Sequence, residues 1–243
     1  MNQGVSVCVF AGHTGGHLFP AIGFAERFKR KYPASRIYLV TSPKAQPILS
    51  SVSKNVLDEI KYLNEFPLFS LRSLKNPAKW PEFVLRSIRF LLEFVRAFLI
   101  SSEILNEVRP NLCVGFGSYV SYPGMRIAVW RKIPTLIHEQ NKIAGKATQK
   151  LAAHVDLTAF TFPDTRCKGR IKRGVISGLP LRSSLCNSSG FERSFTDCSE
   201  RKPLTILVVG GSQGAHGLNQ LILESFFALS DEERKKVAVK HIT

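Results

Sequence analysis

The sequence predicts an α/β fold built on a mainly parallel sheet, and three observations carry that prediction. Short apolar runs end in glycine-rich loops, each loop opens a stretch of helical periodicity, and another apolar run follows. Strand, loop, helix, strand is the βαβ unit, whose parallel strands lie beneath crossover helices. The pattern restarts after a polar, Ser-rich, aperiodic break, so two units are expected, 1–182 and 203–243, with 183–202 as linker.

Taken in order, residues 5–10 form an apolar run ending at a glycine turn. Ile22, Ala25 and Phe28 then recur at helical spacing, and Arg27, Lys29, Arg30 and Lys31 gather towards residue 31, where cations suit a helix C-terminus. Pro20 suits the first turn, so this helix is expected over 20–31. Residues 37–41 read as the second strand. Further strands are expected at 112–114, 135–138, 157–160 and 171–176, with helices about 122–130 and 144–153. In the second unit, 204–209 reads as a buried strand and 237–241 as its successor. Leu218, Leu221, Ile222 and Leu223 give the intervening helix an apolar face. Two strands and a helix bury a parallel sheet poorly, so either this segment pairs with the first unit or, the favoured expectation, the chain is a fragment of a longer protein.

Composition narrows the class. Hydrophobic residues make up 44 % of the 243 and charged residues 21 %, which excludes intrinsic disorder. The 34 Lys and Arg against 18 Asp and Glu leave +16, a balance that favours an anionic partner. The five cysteines form no CxxC pair, and two sit in apolar strand-like runs, so a reducing compartment fits better than a disulfide framework or zinc knuckle. No basic n-region precedes the first apolar run, which reads as a strand rather than a signal peptide. No uncharged apolar stretch reaches the ~20 residues that span a bilayer.

The chemistry concentrates in loops after strands. Gly12-His13-Thr14-Gly15-Gly16-His17 joins a strand to a helix, where free N–H groups and the dipole favour an anion. It is neither GxGxxG nor a P-loop, and no acidic residue follows the second strand, which leaves the dinucleotide fingerprint incomplete. His17 is the leading acid–base candidate, since an imidazole titrates near neutrality; loop orientation or helix capping is its alternative role. His138, Glu139, Gln140 and Asn141 form a polar rim after a buried strand, without the second histidine of a zinc hydrolase HExxH. Gly115-Phe116-Gly117-Ser118-Tyr119 and Gly210-Gly211-Ser212-Gln213-Gly214-Ala215 are further glycine turns.

Residues 66–100 are basic and aromatic. Trp80, Phe83, Val84, Ile88, Leu91, Leu92, Val95, Phe98 and Leu99 give an apolar surface wider than one core stripe, interrupted by Arg72, Lys75, Lys79, Arg86, Arg89 and Arg96. Such a helix suits an anionic membrane surface, although a soluble core helix shares much of its periodicity. No nucleic-acid-binding motif accompanies the cations, so nucleic acid is not an expected partner.

Together, GHTGGHLFPAIGFAERF, FGSYVSYPG, HEQNKIAGKATQKLA and VVGGSQGAHGLNQ closely resemble the bacterial transferases that add N-acetylglucosamine to the lipid-linked peptidoglycan precursor. The resemblance runs from Val5 to Thr243. It implies two Rossmann-like domains of the GT-B glycosyltransferase architecture, the second incomplete. It also implies UDP-N-acetylglucosamine as donor and undecaprenyl-diphospho-N-acetylmuramoyl-pentapeptide (lipid I) as acceptor. The product would be lipid II, formed with inversion on the cytoplasmic face of the bacterial inner membrane, with no metal, flavin or nicotinamide. On this resemblance Thr14, Gly15, Gly16 and His17 meet the acceptor diphosphate and reacting sugar, with His17 as candidate general base. Tyr119, His138, Glu139, Gln140 and Asn141 line the cleft, and Arg182, Ser212, Gln213 and Gly214 face the donor.

Two positions depart from the family pattern: Leu179 stands where asparagine is usual, and His13 where glycine is usual. Because most donor contacts would lie beyond Thr243, the chain alone is expected to be inactive. Two alternatives remain, another GT-B transferase using a lipid acceptor and a non-catalytic subunit that binds polyisoprenyl diphosphate. A nicotinamide oxidoreductase fits poorly without the ribose-binding acid.

Overall fold

The structure, a computed structural model, describes residues 4–50, 56–64, 80–186, 204–210 and 215–242. Two compact units form, Met1–Cys186 and Asn187–Thr243.

The first unit holds β1 (Ser6–Phe10), α1 (Gly15–Lys31), β2 (Arg36–Thr41), α2 (Gln46–Leu49), β3 (Glu59–Tyr62) and α3 (Trp80–Val108). Then come β4 (Leu112–Gly115), α4 (Ser118–Trp130), β5 (Thr135–Glu139), α5 (Lys146–Leu151), β6 (Leu157–Phe160), β7 (Gly174–Ile176) and α6 (Ser183–Cys186). The strands make one sheet in the order β3-β2-β1-β4-β5-β6-β7, with every pairing parallel. The chain moves outward from β1 to β3, then returns to the other side of β1 for β4. That reversal opens a crevice beyond the carboxyl ends of β1 and β4, the place where open α/β sheets take ligands.

Alternation along β1 divides the core. Val7 and Val9 join Leu18, Ile22 and Leu39 on one face, beneath α1. Cys8 and Phe10 join Leu105, Met125 and Ile137 on the other, beneath α3 and α4. Successive side chains of a strand point to opposite faces, so a strand covered on both sides is apolar throughout.

Two helices begin earlier than their sequence suggests. α1 starts at Gly15 rather than Pro20. Thr14 is extended (φ −76°, ψ 149°), and its carbonyl accepts the N–H groups of His17 (3.0 Å) and Leu18 (2.9 Å). Two glycines are poor helix formers and Pro20 forfeits a helical bond, but Leu18, Ala21, Ile22 and Ala25 are buried on one face and hold the helix. His17 therefore lies in the first turn. α4 likewise starts at Ser118, with Tyr119 beside it.

α3 carries two apolar rows. Phe90, Phe94, Ala97, Ile104, Leu105 and Val108 pack inward, and Phe94 and Phe98 meet Tyr122 at 6.3 and 6.2 Å, the first tilted and the second edge-on. Leu85, Ile88, Leu92, Val95 and Leu99, at alternating helical spacing, are exposed. Phe98, grouped with the outer surface from sequence, belongs to the inner stack, 6.0 Å from Trp130. Among the described residues no helix is long and apolar enough to cross a membrane. Arg72, Lys75, Lys79 and the side chains of Trp80 and Phe83 lie outside the described residues.

The second unit pairs β8 (Leu204–Val209) in parallel with β9 (Val237–Ile242), connected by α7 (His216–Ala228) and α8 (Asp231–Arg234). Ser230 caps α8 in a reciprocal box with Glu233. His241 Nε2 and Asn219 Oδ1 lie 3.0 Å apart.

Candidate functional site

The loops after β1, β4 and β5 meet at the crevice. His17 sits between two of them: a Cβ on Gly12 would lie 3.1 Å from its Cδ2, and one on Gly117 3.2 Å from its Cε1. Gly117 also adopts φ +75°, a left-handed conformation natural to glycine, as it turns the chain into α4. The imidazole is thus clasped by backbone on both sides.

From the third loop, Gln140 Oε1 lies 3.1 Å from His17 Nδ1. His138 is buried behind it, with Nε2 2.9 Å from the Gly178 carbonyl. Burial pushes the His138 pKa below its ordinary value, outweighing the raising effects of the Gly178 bond and of Glu139. The unfolded chain accordingly takes up a proton below about pH 6.5 that the folded site resists. Stability is expected to fall as pH drops below that value, by at most about 1.4 kcal/mol per unit from this group. Urea midpoints at pH 7.5 and 5.5 check it: the difference should shrink in His138→Gln.

Glu139 is buried, and its carboxylate shapes the loop. Oε1 accepts the Asn141 backbone N–H at 3.0 Å and side-chain amide at 3.1 Å, and Oε2 accepts the Gly145 N–H at 2.9 Å. These bonds fold residues 141–145 over the end of β5 into the short helix α5.

Two cavities flank this loop. One, of about 420 Å³, is bounded by His17, Tyr119, Asn141, the inner aromatics Phe90 and Phe94, and Lys146 and Lys150. Thr148 also lines it, with a buried hydroxyl that has no hydrogen-bond partner among the described residues. The other, of about 370 Å³, lies against Gly15, Gly16, Gln140, Asn141, Leu179 and Arg182. No acidic residue occupies the first turn of α1 there. The segment after β7 reaches this cavity because α6 is tied to α1: Ser183 N–H donates to Glu26 at 2.5 Å, and Arg30 donates to Ser183 Oγ at 2.7 Å. The Arg182 guanidinium then lies over the Phe19 ring, 4.0 Å from its centroid, with its Nε buried and unpartnered among the described residues.

Of the residues expected at a site, His17, Tyr119, Glu139 and Asn141 border the first cavity and Gly15, Gly16, Gln140, Asn141 and Arg182 the second. Thr14 caps α1 through its backbone, without a side-chain capping bond, and His138 stands behind the rim. Ser212, Gln213 and Gly214 lie outside the described residues. Sequence reasoning missed Phe90, Phe94, Lys146, Thr148 and Lys150. The two lysines, four residues apart on one helix, carried a signal; the inward turn of the phenylalanines depends on tertiary packing.

Parallel Rossmann-like units, the larger with its crevice at the sheet's reversal, define a protein of the GT-B glycosyltransferase architecture. Residues 7–159 match the N-terminal domain of glycosyltransferase family 28, and the chain belongs to that family. Among curated relatives, the UDP-N-acetylglucosamine–N-acetylmuramyl-(pentapeptide) pyrophosphoryl-undecaprenol N-acetylglucosamine transferase of Desulfotalea psychrophila is 32 % identical over 240 residues, 98 % of this chain and 59 % of the relative. The Mesorhizobium japonicum transferase of the same name is 29 % identical over 241 residues, again 98 % and 59 %. The chain therefore spans about three fifths of these relatives' length. The solved MurG of Acinetobacter baumannii superposes with a TM-score of 0.65 at 23 % identity, covering 98 % of this chain and 68 % of that one.

Proposed function

We propose that this chain takes part in transfer of N-acetylglucosamine from UDP-N-acetylglucosamine to lipid I, forming lipid II in peptidoglycan synthesis. One observation carries the reading: His17, braced by Gln140, stands at a helix start on the cavity that Lys146 and Lys150 border, while Gly15 and Gly16 of the same turn border the second, with Arg182. In the inverting step, the acceptor hydroxyl oxygen bonds to the sugar anomeric carbon, His17 Nε2 takes the hydroxyl proton, and the bond to UDP breaks with its electron pair leaving on the diphosphate. The aromatic and lysine-bordered cavity suits an acceptor that is both apolar and anionic, and the unpartnered Thr148 hydroxyl would find a bond there. Arg182 suits the phosphates of the donor, and the acid-free start of α1 at Gly15 and Gly16 suits the acceptor diphosphate. The resemblance assigns Ser212, Gln213 and Gly214 to the donor as well, with no metal or cofactor in the scheme.

The test uses the chain and a chimera in which the remaining part of the Desulfotalea psychrophila relative follows it. Both should bind a short-chain lipid I analogue, and the chimera should transfer radiolabelled N-acetylglucosamine to it. Transfer to other lipid acceptors but not to lipid I would favour a different acceptor. Binding without transfer by the chimera would favour a non-catalytic role.

The same reading places the outer face of α3 on an anionic membrane surface at the cytoplasmic side of the inner membrane, with Arg86, Arg89 and Arg96 near the lipid headgroups. Leu92→Asp with Leu99→Asp is expected to reduce sedimentation with anionic vesicles at least about tenfold, since burying each leucine contributes roughly 1.5 kcal/mol or more. Both positions are exposed, so thermal unfolding should change little.

A further inference from the structure

The Gln140 side chain touches two histidines, and a group that only accepts fixes the direction of every bond. Its Nε2 lies 3.0 Å from the backbone carbonyl of His138. The amide NH₂ must therefore face that carbonyl, and Oε1 must face His17. A carbonyl oxygen cannot donate, so the 3.1 Å contact requires the His17 proton on Nδ1. The same NH₂ lies 3.2 Å from His138 Nδ1, which therefore accepts. The His138 proton is left on Nε2, where it donates to the Gly178 carbonyl at 2.9 Å. Turning the amide over would set two carbonyl oxygens against each other in a buried corner, so one arrangement satisfies all four groups.

From this chain we infer that Gln140 is a positioning residue, which holds neutral His17 in its Nδ1-protonated form and leaves the Nε2 lone pair uncommitted. Nε2 has no hydrogen-bond partner among the described residues, and His17 borders the acceptor-side cavity. The consequence for catalysis rests on the reading of His17 as a base, because a base that begins as the other tautomer has no lone pair on Nε2 to accept the proton. The tautomer itself does not depend on that reading. Burial of His138 in its neutral form supports the arrangement, since an imidazolium there would donate from both nitrogens and turn the Gln140 amide away.

The experiment is two-bond ¹H–¹⁵N correlation of the histidine rings in the 243-residue chain at pH 8, with exposed His154 as internal reference. His17 should appear Nδ1-protonated and His138 Nε2-protonated. In Gln140→Leu, the ratio of Nδ1–H to Nε2–H at His17 should fall roughly tenfold, the equivalent of one ordinary hydrogen bond. Gln140→Glu keeps an acceptor for His17 Nδ1–H, although its second oxygen would face the His138 carbonyl; the His17 ratio should be preserved while the His138 signals shift, whereas a purely space-filling role predicts the same change at His17 in both variants. Nε2-protonated His17 in the unaltered chain overturns the inference, whatever the variants do. So does an unchanged ratio in folded Gln140→Leu. Failure of the chimera to transfer sugar would instead remove the functional reading and leave the tautomer result standing.

Discussion

Replacing His17 by alanine is expected to lower sugar transfer by about 10²–10⁴-fold, the range that a positioned general base contributes. The loss should fall on kcat, with the KM for UDP-N-acetylglucosamine little altered, because His17 borders the proposed acceptor cavity rather than the one holding Arg182. His17→Asn sharpens the test. Its side-chain amide can replace Nδ1–H as a donor to Gln140, but it offers no basic nitrogen at the position of Nε2. If Nε2 takes the proton, asparagine should lose as much as alanine. If His17 serves chiefly to brace the loop, asparagine should recover most of the activity. Initial rates with the chimera and a soluble lipid I analogue distinguish the two.

The second large effect is expected at Glu139. Its buried carboxylate accepts three hydrogen bonds, and Glu139→Ala leaves the Asn141 and Gly145 N–H groups without that acceptor. Bonds to a charged group contribute roughly 1.5–3 kcal/mol each, so a loss of about 3 kcal/mol or more is expected after local relaxation. For a chain of this size that lowers Tm by roughly 6–12 °C. Acceptor binding should weaken as well, because the same loop carries Asn141 and leads into Lys146 and Lys150. Glu139→Gln should fall between: its carbonyl can still receive Asn141, but its NH₂ would oppose the Gly145 N–H. Differential scanning calorimetry and analogue binding measure the two consequences separately.

Sequence pattern reveals much of this fold because the βαβ rhythm is local. β1 is a nearly uninterrupted apolar run, and β5 carries Leu136 and Ile137 directly before the polar residues that open its loop. β3 was not visible: Glu59–Tyr62 alternates charged with apolar or aromatic residues, as an edge strand can, and it is recognisable only beside β2. The start of α1 was hidden for another reason. Gly15 and Gly16 favour no particular conformation, and only the buried face of the helix shows why it begins there.

The candidate site divides along similar lines. His17 and the residues from His138 to Asn141 stand out because polar and titratable groups are unusual at the ends of buried strands. Their connection through Gln140 was not legible, since it joins positions 17 and 140, 123 residues apart in the chain. The separation of Phe90 and Phe94 from the outer row of α3 was equally hidden. Helical spacing identifies which residues share a face, but tertiary packing determines which face turns inward.

The backbone clasp around His17 has an entropic consequence. A side chain on an open surface samples several rotamers, and ordering it as a reaction begins adds to the activation barrier. Here Gly12 and Gly117 confine the ring before any ligand arrives, and Gln140 restrains its remaining rotation. Its orientational freedom has already been surrendered during folding. Binding free energy from a distant part of a substrate is then left to align the sugar rather than the base.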